Sequence, residues 1–230
     1  MRLLLFDIDG TLVDTLGAGK AALREAMLEV YGETGPIDSF DFHGRTDPAI
    51  VRGLLRMVGW PDARIEAGFS ATWEAYLGVL ERELRERDGR VQPYSGVTEL
   101  LDEIEGDERF AVGLVTGNME GGARRKLEAA GLAGRFGFGA FGSDSEWRED
   151  LPPIARVRAQ STYHKQFDME SAVVVGDTPE DIRCARANGT RVLAVATGRH
   201  SAEELRSHAP DAVVEDLGDT SRILRMLADE

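Results

Sequence analysis

Two aspartates interrupt an apolar run near the beginning of the chain. The segment LLLFDIDGT places four apolar residues directly before Asp7 and Asp9 and continues with Gly10. Buried carboxylates are costly unless a cation or hydrogen bonds compensate them. This pair of aspartates therefore indicates a functional site, and the first chemistry to consider is the binding of a cation.

A second group of carboxylates follows another apolar run, in the sequence VVVGDTPED. Asp177 and Asp7 would face each other across a narrow crevice, which is unfavourable unless a cation lies between them. Carboxylate oxygens suit Mg²⁺, and the four histidines lack the spacing of zinc ligands. We therefore predict a Mg²⁺ site. Asp181 either belongs to this site or is only a first-turn carboxylate of the helix that Thr178 caps and Pro179 opens.

The elements that must position these residues can be predicted from hydrophobic patterns. Continuous apolar runs at 3–6, 110–115 and 172–175, with weaker runs at 192–196 and 212–214, are typical of strands covered on both faces. Helical patterns separate the runs from residue 97 onward. The expected fold is α/β, a doubly wound parallel sheet.

The pattern changes between the first and second strands. Apolar residues recur there at helical spacing, and the stripe of Trp73, Tyr76 and Leu77 indicates the core of a helical bundle. We expect a small helical cap domain at residues 15–90, inserted into a core domain formed by residues 1–14 and 91–230.

Ligands of open α/β sheets bind outside the carboxyl ends of the strands. In a parallel sheet these ends share one edge, so Asp7, Thr116 and Asp177, which each follow a predicted strand, are expected to converge there.

Three motifs in this order resemble those of haloacid dehalogenase-like phosphohydrolases: DIDGT at Asp7, LVTGN around Thr116, and GDTPED at Gly176. The resemblance covers nearly the whole chain. The helical insert resembles the cap of the phosphoglycolate phosphatase-like and β-phosphoglucomutase-like branch of that superfamily.

The resemblance implies roles for the aspartates. Asp7 matches the nucleophile that accepts the phosphoryl group as an aspartyl-phosphate. Asp9 matches the general acid and base, with its backbone carbonyl as a metal ligand. Asp7, Asp177 and Asp181 match the metal-binding carboxylates, and Gly10 allows a tight turn that frees amide groups for phosphate.

Phosphate binding is expected from Thr116, Gly117 and Asn118, although Thr116 could instead cap the following helix. The fourth family position, usually a lysine, departs from the pattern in this chain. Arg148 is the best match, ahead of the rivals Arg156 and Lys165 in the same region.

The segment FHGRTDP that opens a cap helix suits a lid over the site. His43 or Arg45 could hold the anionic end of a substrate. In the alternative, Thr46 is a helix N-cap and Arg45 a surface cation.

The composition limits the partners. A formal net charge of −14 disfavours nucleic acid and membrane surfaces, and a single cysteine excludes an internal disulfide. The apolar run that Asp7 interrupts is too short for a signal peptide, so a cytoplasmic monomer or homodimer is expected.

The predicted function is a Mg²⁺-dependent phosphatase that hydrolyses a small phosphomonoester metabolite, phosphoglycolate-like by resemblance, through an aspartyl-phosphate. The alternatives are a phosphosugar mutase of the β-phosphoglucomutase type and, less favoured, a 2-haloacid dehalogenase or a non-catalytic phosphate-binding module.

Overall fold

A computed structural model describes residues 1–228. Its strands are β1 (Arg2–Phe6), β2 (Val13–Asp14), β3 (Gln92–Pro93), β4 (Phe110–Val115), β5 (Gly139–Ala140), β6 (Val173–Gly176), β7 (Arg191–Val195) and β8 (Ala212–Val214). Six of them form a parallel sheet in the order β5-β4-β1-β6-β7-β8, and β2 pairs with β3 in a separate antiparallel ribbon. The expected parallel α/β fold is confirmed.

The helices are α1 (Ala18–Tyr31), α2 (Asp47–Met57), α3 (Asp62–Glu86), α4 (Val97–Ile104), α5 (Glu120–Ala129), α6 (Leu151–Tyr163), α7 (Pro179–Ala187), α8 (Ala202–Ser207) and α9 (Thr220–Ala228). A short 3-10 helix, Arg148–Asp150, precedes α6. Within residues 1–228, no helix is both long and apolar enough to cross a bilayer.

The central strand β1 explains why its apolar run is continuous rather than alternating. Leu3, Leu4, Leu5 and Phe6 are all fully buried. Leu4 and Phe6 join the hydrophobic cluster on one face of the sheet, whereas Leu3 and Leu5 join the cluster on the other face. Both faces of β1 are therefore packed, as expected for a strand with helices on either side.

Helices α1, α2 and α3 occupy the stretch between β2 and β3. Helix α1 packs along α3, and Tyr76 of the predicted stripe is buried in the same cluster. The register of the ribbon pairs Val13 with Pro93 and Asp14 with Gln92, so the chain enters and leaves the helical segment side by side. A boundary between cap and core domains at residues 14 and 91 stays a prediction.

Candidate active site

Asp7 lies at the first position beyond β1. Its backbone amide donates to the Val175 carbonyl of β6 (2.9 Å), so the parallel pairing fixes the backbone of Asp7 at the carboxyl edge of the sheet. The side chain is almost fully buried. Burial raises the pKa of Asp7 to about 6; Arg148 opposes this rise, and Asp181 adds to it.

Three buried carboxylates meet at this edge. One oxygen each from Asp7, Asp177 and Asp181 lies within 4.8 Å of the others. Asp177 follows β6, and its Oδ1 accepts a hydrogen bond from the Thr11 hydroxyl (3.0 Å). Gly10 has a φ of 84°, and a Cβ there would lie 2.2 Å from Asp177 Oδ2, so only glycine fits the turn.

The cluster carries more negative than positive charge. Arg148 Nη2 lies 3.1 Å from Asp7 Oδ2 and also bonds Asp181 Oδ1. One guanidinium facing three carboxylates leaves two negative charges uncompensated, and the pKa of Asp177 is well above its ordinary value because of burial and the neighbouring Asp181 and Asp7. The all-oxygen donor set and the excess charge fit a divalent cation.

Asp181 serves more than one contact. Its Oδ2 accepts hydrogen bonds from the Thr178 amide (3.1 Å) and hydroxyl (2.6 Å), while its Oδ1 is bonded to Arg148. The Thr178 side chain in turn accepts from the Asp181 amide, which completes a capping box at the start of α7. Asp181 is thus both a helix-capping carboxylate and a member of the acidic cluster, where it holds Arg148 against Asp7.

Asp9 lies beside a lysine that the sequence did not single out. Asp9 Oδ2 accepts from Lys126 Nζ (2.6 Å) and from Asn118 Nδ2 (2.8 Å), and Oδ1 lies 3.4 Å from the Thr15 hydroxyl. Burial acts to raise the pKa of Asp9, but the charge and hydrogen bond of Lys126 and the bond from Asn118 hold it below its ordinary value.

Thr116 follows β4 and is fully buried. Its hydroxyl accepts from Asn118 Nδ2 (2.8 Å), whereas the N-cap of α5 is Met119, so Thr116 does not cap that helix. A Cβ on Gly117 would lie 2.1 Å from the Arg45 carbonyl oxygen. The absence of a side chain at Gly117 therefore lets the segment before α2 approach the sheet.

The segment that begins α2 is hydrogen-bonded to the sheet edge. The Asp47 amide donates to the Gly117 carbonyl (2.8 Å), and Asp47 Oδ2 accepts from the Met119 amide (2.8 Å). The Thr46 hydroxyl donates to the Glu146 carbonyl (2.7 Å) and accepts from the Ala49 amide (3.3 Å), which makes it the N-cap of α2. The bonds to Gly117 and Met119 hold the start of α2 against the carboxyl end of β4.

A cavity of about 810 Å³ lies between the helical segment and the sheet edge. It brings together most residues that the sequence predicts for the site: Asp7, Asp9, Gly10, His43, Arg45, Thr116, Gly117, Asn118, Arg148 and Asp177. Lys165 and Arg156, the rivals of Arg148, do not line it within the described chain; Lys165 is exposed beyond α6.

Cations line the outer part of the cavity. Lys20 Nζ lies 5.2 Å from the Phe42 ring, and the Arg45 guanidinium 5.4 Å from the Phe40 ring. Among residues 1–228 neither cation forms an ion pair. His43 is instead bonded to a carboxylate, with its Nδ1 2.7 Å from Asp41 Oδ1.

Lys126 and Asp47 were missed by sequence reasoning. Lys126 shares a helix face with Ala123, Leu127 and Ala130. A lysine at the spacing of the apolar residues indicates a buried cation, and this pattern could have identified it. No comparable signal pointed to Asp47, because its local pattern is that of a helix start and its partner Met119 is distant in sequence.

A doubly wound parallel sheet with a buried aspartate cluster at its carboxyl edge and a helical insert over that edge defines an α/β enzyme whose candidate active site lies at the strand ends. The profile of the family described as haloacid dehalogenase-like hydrolase matches residues 4–195. The chain belongs to this family, as the three sequence motifs predict.

Two curated relatives are phosphatases. The chain is 26% identical to a phosphoglycolate phosphatase of Synechococcus elongatus over 99% of both chains. It is 29% identical to the N-acetylmuramic acid 6-phosphate phosphatase of Pseudomonas putida over 94% of this chain and 92% of the relative. The crystal structure of a hydrolase from Pseudomonas syringae has the same fold, with a TM-score of 0.72, 20% identity and coverage of 98% and 99%.

Proposed function

We propose that the protein is a Mg²⁺-dependent phosphatase that hydrolyses a small phosphomonoester through an aspartyl-phosphate on Asp7. The observation that carries the proposal is the convergence of the Asp7, Asp177 and Asp181 carboxylates within 4.8 Å, with Asp7 and Asp177 also lining an open cavity. A buried carboxylate that is fixed at a strand end and faces a cavity is suited to nucleophilic attack on a bound ester.

In the proposed reaction, an oxygen of Asp7 forms a bond to phosphorus while the bond from phosphorus to the ester oxygen breaks. Because Lys126 holds the pKa of Asp9 below its ordinary value, Asp9 must first take up a proton from solvent in the open cavity, which it then gives to the departing alkoxide. Its carboxylate next takes a proton from the water that attacks the aspartyl-phosphate. The second step releases inorganic phosphate and regenerates Asp7. Arg148 and Thr116 both line the cavity, and in this proposal their guanidinium and hydroxyl groups would bind the phosphoryl oxygens.

The cation belongs at the acidic cluster. Asp7, Asp177 and the backbone carbonyl of Asp9 would hold it, and Asp181 would act mainly through Arg148 because both of its oxygens already accept hydrogen bonds. When bound, Mg²⁺ supplies positive charge that stabilises the phosphoryl group during transfer.

The proposed substrate carries a second anionic group, as phosphoglycolate does. Lys20 and Arg45 line the cavity and form no ion pair among the described residues, so a carboxylate of the substrate is their natural partner. The volume of about 810 Å³ suits a small metabolite. The name of the Synechococcus relative supports the same substrate class.

The test is release of inorganic phosphate from a panel of small phosphomonoesters, with phosphoglycolate first, across a series of divalent ions. We expect turnover with Mg²⁺, loss with EDTA, and a fall of at least about 10³-fold in Asp7→Asn, since the nucleophile is removed. Asp88→Asn, an exposed carboxylate outside the cavity, is the matched control and should retain full activity. Turnover that survives in Asp7→Asn would refute the proposal.

Product analysis in the same assay separates hydrolysis from phosphoryl transfer within a sugar. An isomerised hexose phosphate formed without inorganic phosphate would identify a mutase and overturn the hydrolytic proposal. The cytoplasmic location and the monomeric or homodimeric state stay predictions from composition.

A further inference from the structure

Lys126 is a buried cation inside the enzyme. The chain has only three lysines, and the side chain of Lys126 on α5 is 5% exposed. A buried ammonium requires partners for its charge and its N–H groups. The hydrogen-bond partners of Lys126 therefore indicate its role.

The ammonium closes a ring of hydrogen bonds with two side chains. Lys126 Nζ donates to Asp9 Oδ2 (2.6 Å) and to Asn118 Oδ1 (2.5 Å), and Asn118 Nδ2 donates to the same Asp9 oxygen (2.8 Å). The Asn118 amide also reaches the Thr116 hydroxyl (2.8 Å). The ring thus fixes one oxygen of Asp9. Through Asn118 it also links Asp9 to Thr116, the residue proposed to bind phosphate.

The other side of Asp9 remains open. Its side chain is 42% exposed toward the cavity, although Lys126 and Asn118 beneath it are buried. With Oδ2 held by two donors, rotation of the carboxyl group is restricted, and Oδ1, which accepts only a long 3.4 Å bond from the Thr15 hydroxyl among the described residues, is the oxygen left to meet a substrate. A carboxyl group that must reach a leaving oxygen benefits from such fixed orientation.

We propose that Lys126 is a positioning residue for the acid and base carboxylate, and that it orients Asp9 toward the leaving group of the ester. The inference rests on the proposed phosphatase function and extends it to a residue on α5. Lys126 itself does not touch the reacting atoms.

The site also depends on the helical segment that packs over α5. A Cβ on Gly19 of α1 would lie 3.1 Å from Lys126 Nζ and 3.8 Å from the Tyr76 hydroxyl of α3. The ammonium therefore occupies space that Gly19 leaves open where α1 and α3 meet α5. A methyl group at this position would displace the ammonium by a few tenths of an ångström without removing its charge.

The decisive experiment compares an alkyl ester with an aryl ester. The alkoxide of phosphoglycolate needs a proton as it leaves, whereas the p-nitrophenolate of p-nitrophenyl phosphate leaves readily without one. Because kcat/KM reports the steps up to loss of the leaving group, we expect Lys126→Met to lower it about 10²-fold for the alkyl ester and about threefold or less for the aryl ester.

Two further variants keep the test independent of folding. Arg124→Met removes an exposed cation from the same helix and should leave kcat/KM unchanged for both the alkyl and the aryl ester. Gly19→Ala should lower the ratio of alkyl to aryl kcat/KM by a smaller factor, and it should add nothing in the double variant with Lys126→Met. Thermal unfolding of each variant shows whether the fold is intact.

An unchanged alkyl-to-aryl ratio in Lys126→Met overturns the inference, whatever the loss of total activity. A Gly19→Ala effect on the ratio that persists without Lys126 also overturns it. Turnover retained in Asp7→Asn instead removes the proposed function, and with it this inference.

Discussion

The Asp47 carboxyl group provides a stability test that is independent of catalysis. Its Oδ2 points inward and accepts from the Met119 amide. Burial raises the pKa of Asp47 to about 6 against an ordinary value of 3.8, with Lys126 and the Met119 bond opposing the rise. The folded protein thus holds this proton to a higher pH than the unfolded chain does. The stability that the protonated Asp47 carboxyl group contributes is lost as the pH rises from about 4 to about 6.

The magnitude follows from this change in pKa. A rise from 3.8 to about 6 corresponds to about 3 kcal/mol at neutral pH, and partial exposure of the residue reduces this to about 2 kcal/mol. Asp47→Asn keeps an oxygen for the Met119 amide and cannot ionise. The variant should therefore be more stable than the wild type by about 2 kcal/mol at pH 7.5, or about 4 to 8 °C in Tm.

The measurement is thermal unfolding of both proteins between pH 4 and 8 in EDTA, with Asp88→Asn as the exposed control. The extra stability of Asp47→Asn over the wild type should be present above pH 6 and should shrink toward zero near pH 4. A gain that is independent of pH, or no gain at pH 7.5, would refute the assignment of a raised pKa to Asp47.

Two further predictions concern ligands. Mg²⁺ at about 100 times its Kd should stabilise the protein by about 2.7 kcal/mol, or about 5 to 10 °C in Tm, because it binds only the folded cluster. Asp177→Asn should lose most of this shift in the same scans, and an equal shift in the variant would place the cation elsewhere. Arg45→Ala should raise KM for phosphoglycolate about tenfold or more and leave KM for p-nitrophenyl phosphate nearly unchanged, since the aryl ester has no second anion. Steady-state kinetics with both esters decides this, and equal changes in KM would refute the assigned role of Arg45.

The sheet could be predicted because its strands leave a strong signal. β1 and β4 are continuous apolar runs, and their observed bounds lie within a residue of the predicted ones. β5 was missed because its two residues, Gly139 and Ala140, carry no pattern, and its pairing with β4 depends on a contact distant in sequence. A short edge strand is defined by its neighbour rather than by its own residues.

The residues of the candidate site that directly follow a strand could be predicted from the sequence. Asp7, Thr116 and Asp177 each come directly after a strand, so the parallel order alone brings them to one edge. Lys126 reaches Asp9 from within a helix, and Asp47 reaches Met119 from the helical insert. These contacts depend on how helices pack over the sheet, which local patterns do not reveal.

The ribbon of β2 and β3 has an evolutionary consequence. Because the helical segment departs and returns through adjacent strands, its length or sequence can change without altering the path of the sheet that carries the aspartates. Selection can therefore change the ligand preference through this segment while the aspartates at the sheet edge stay the same.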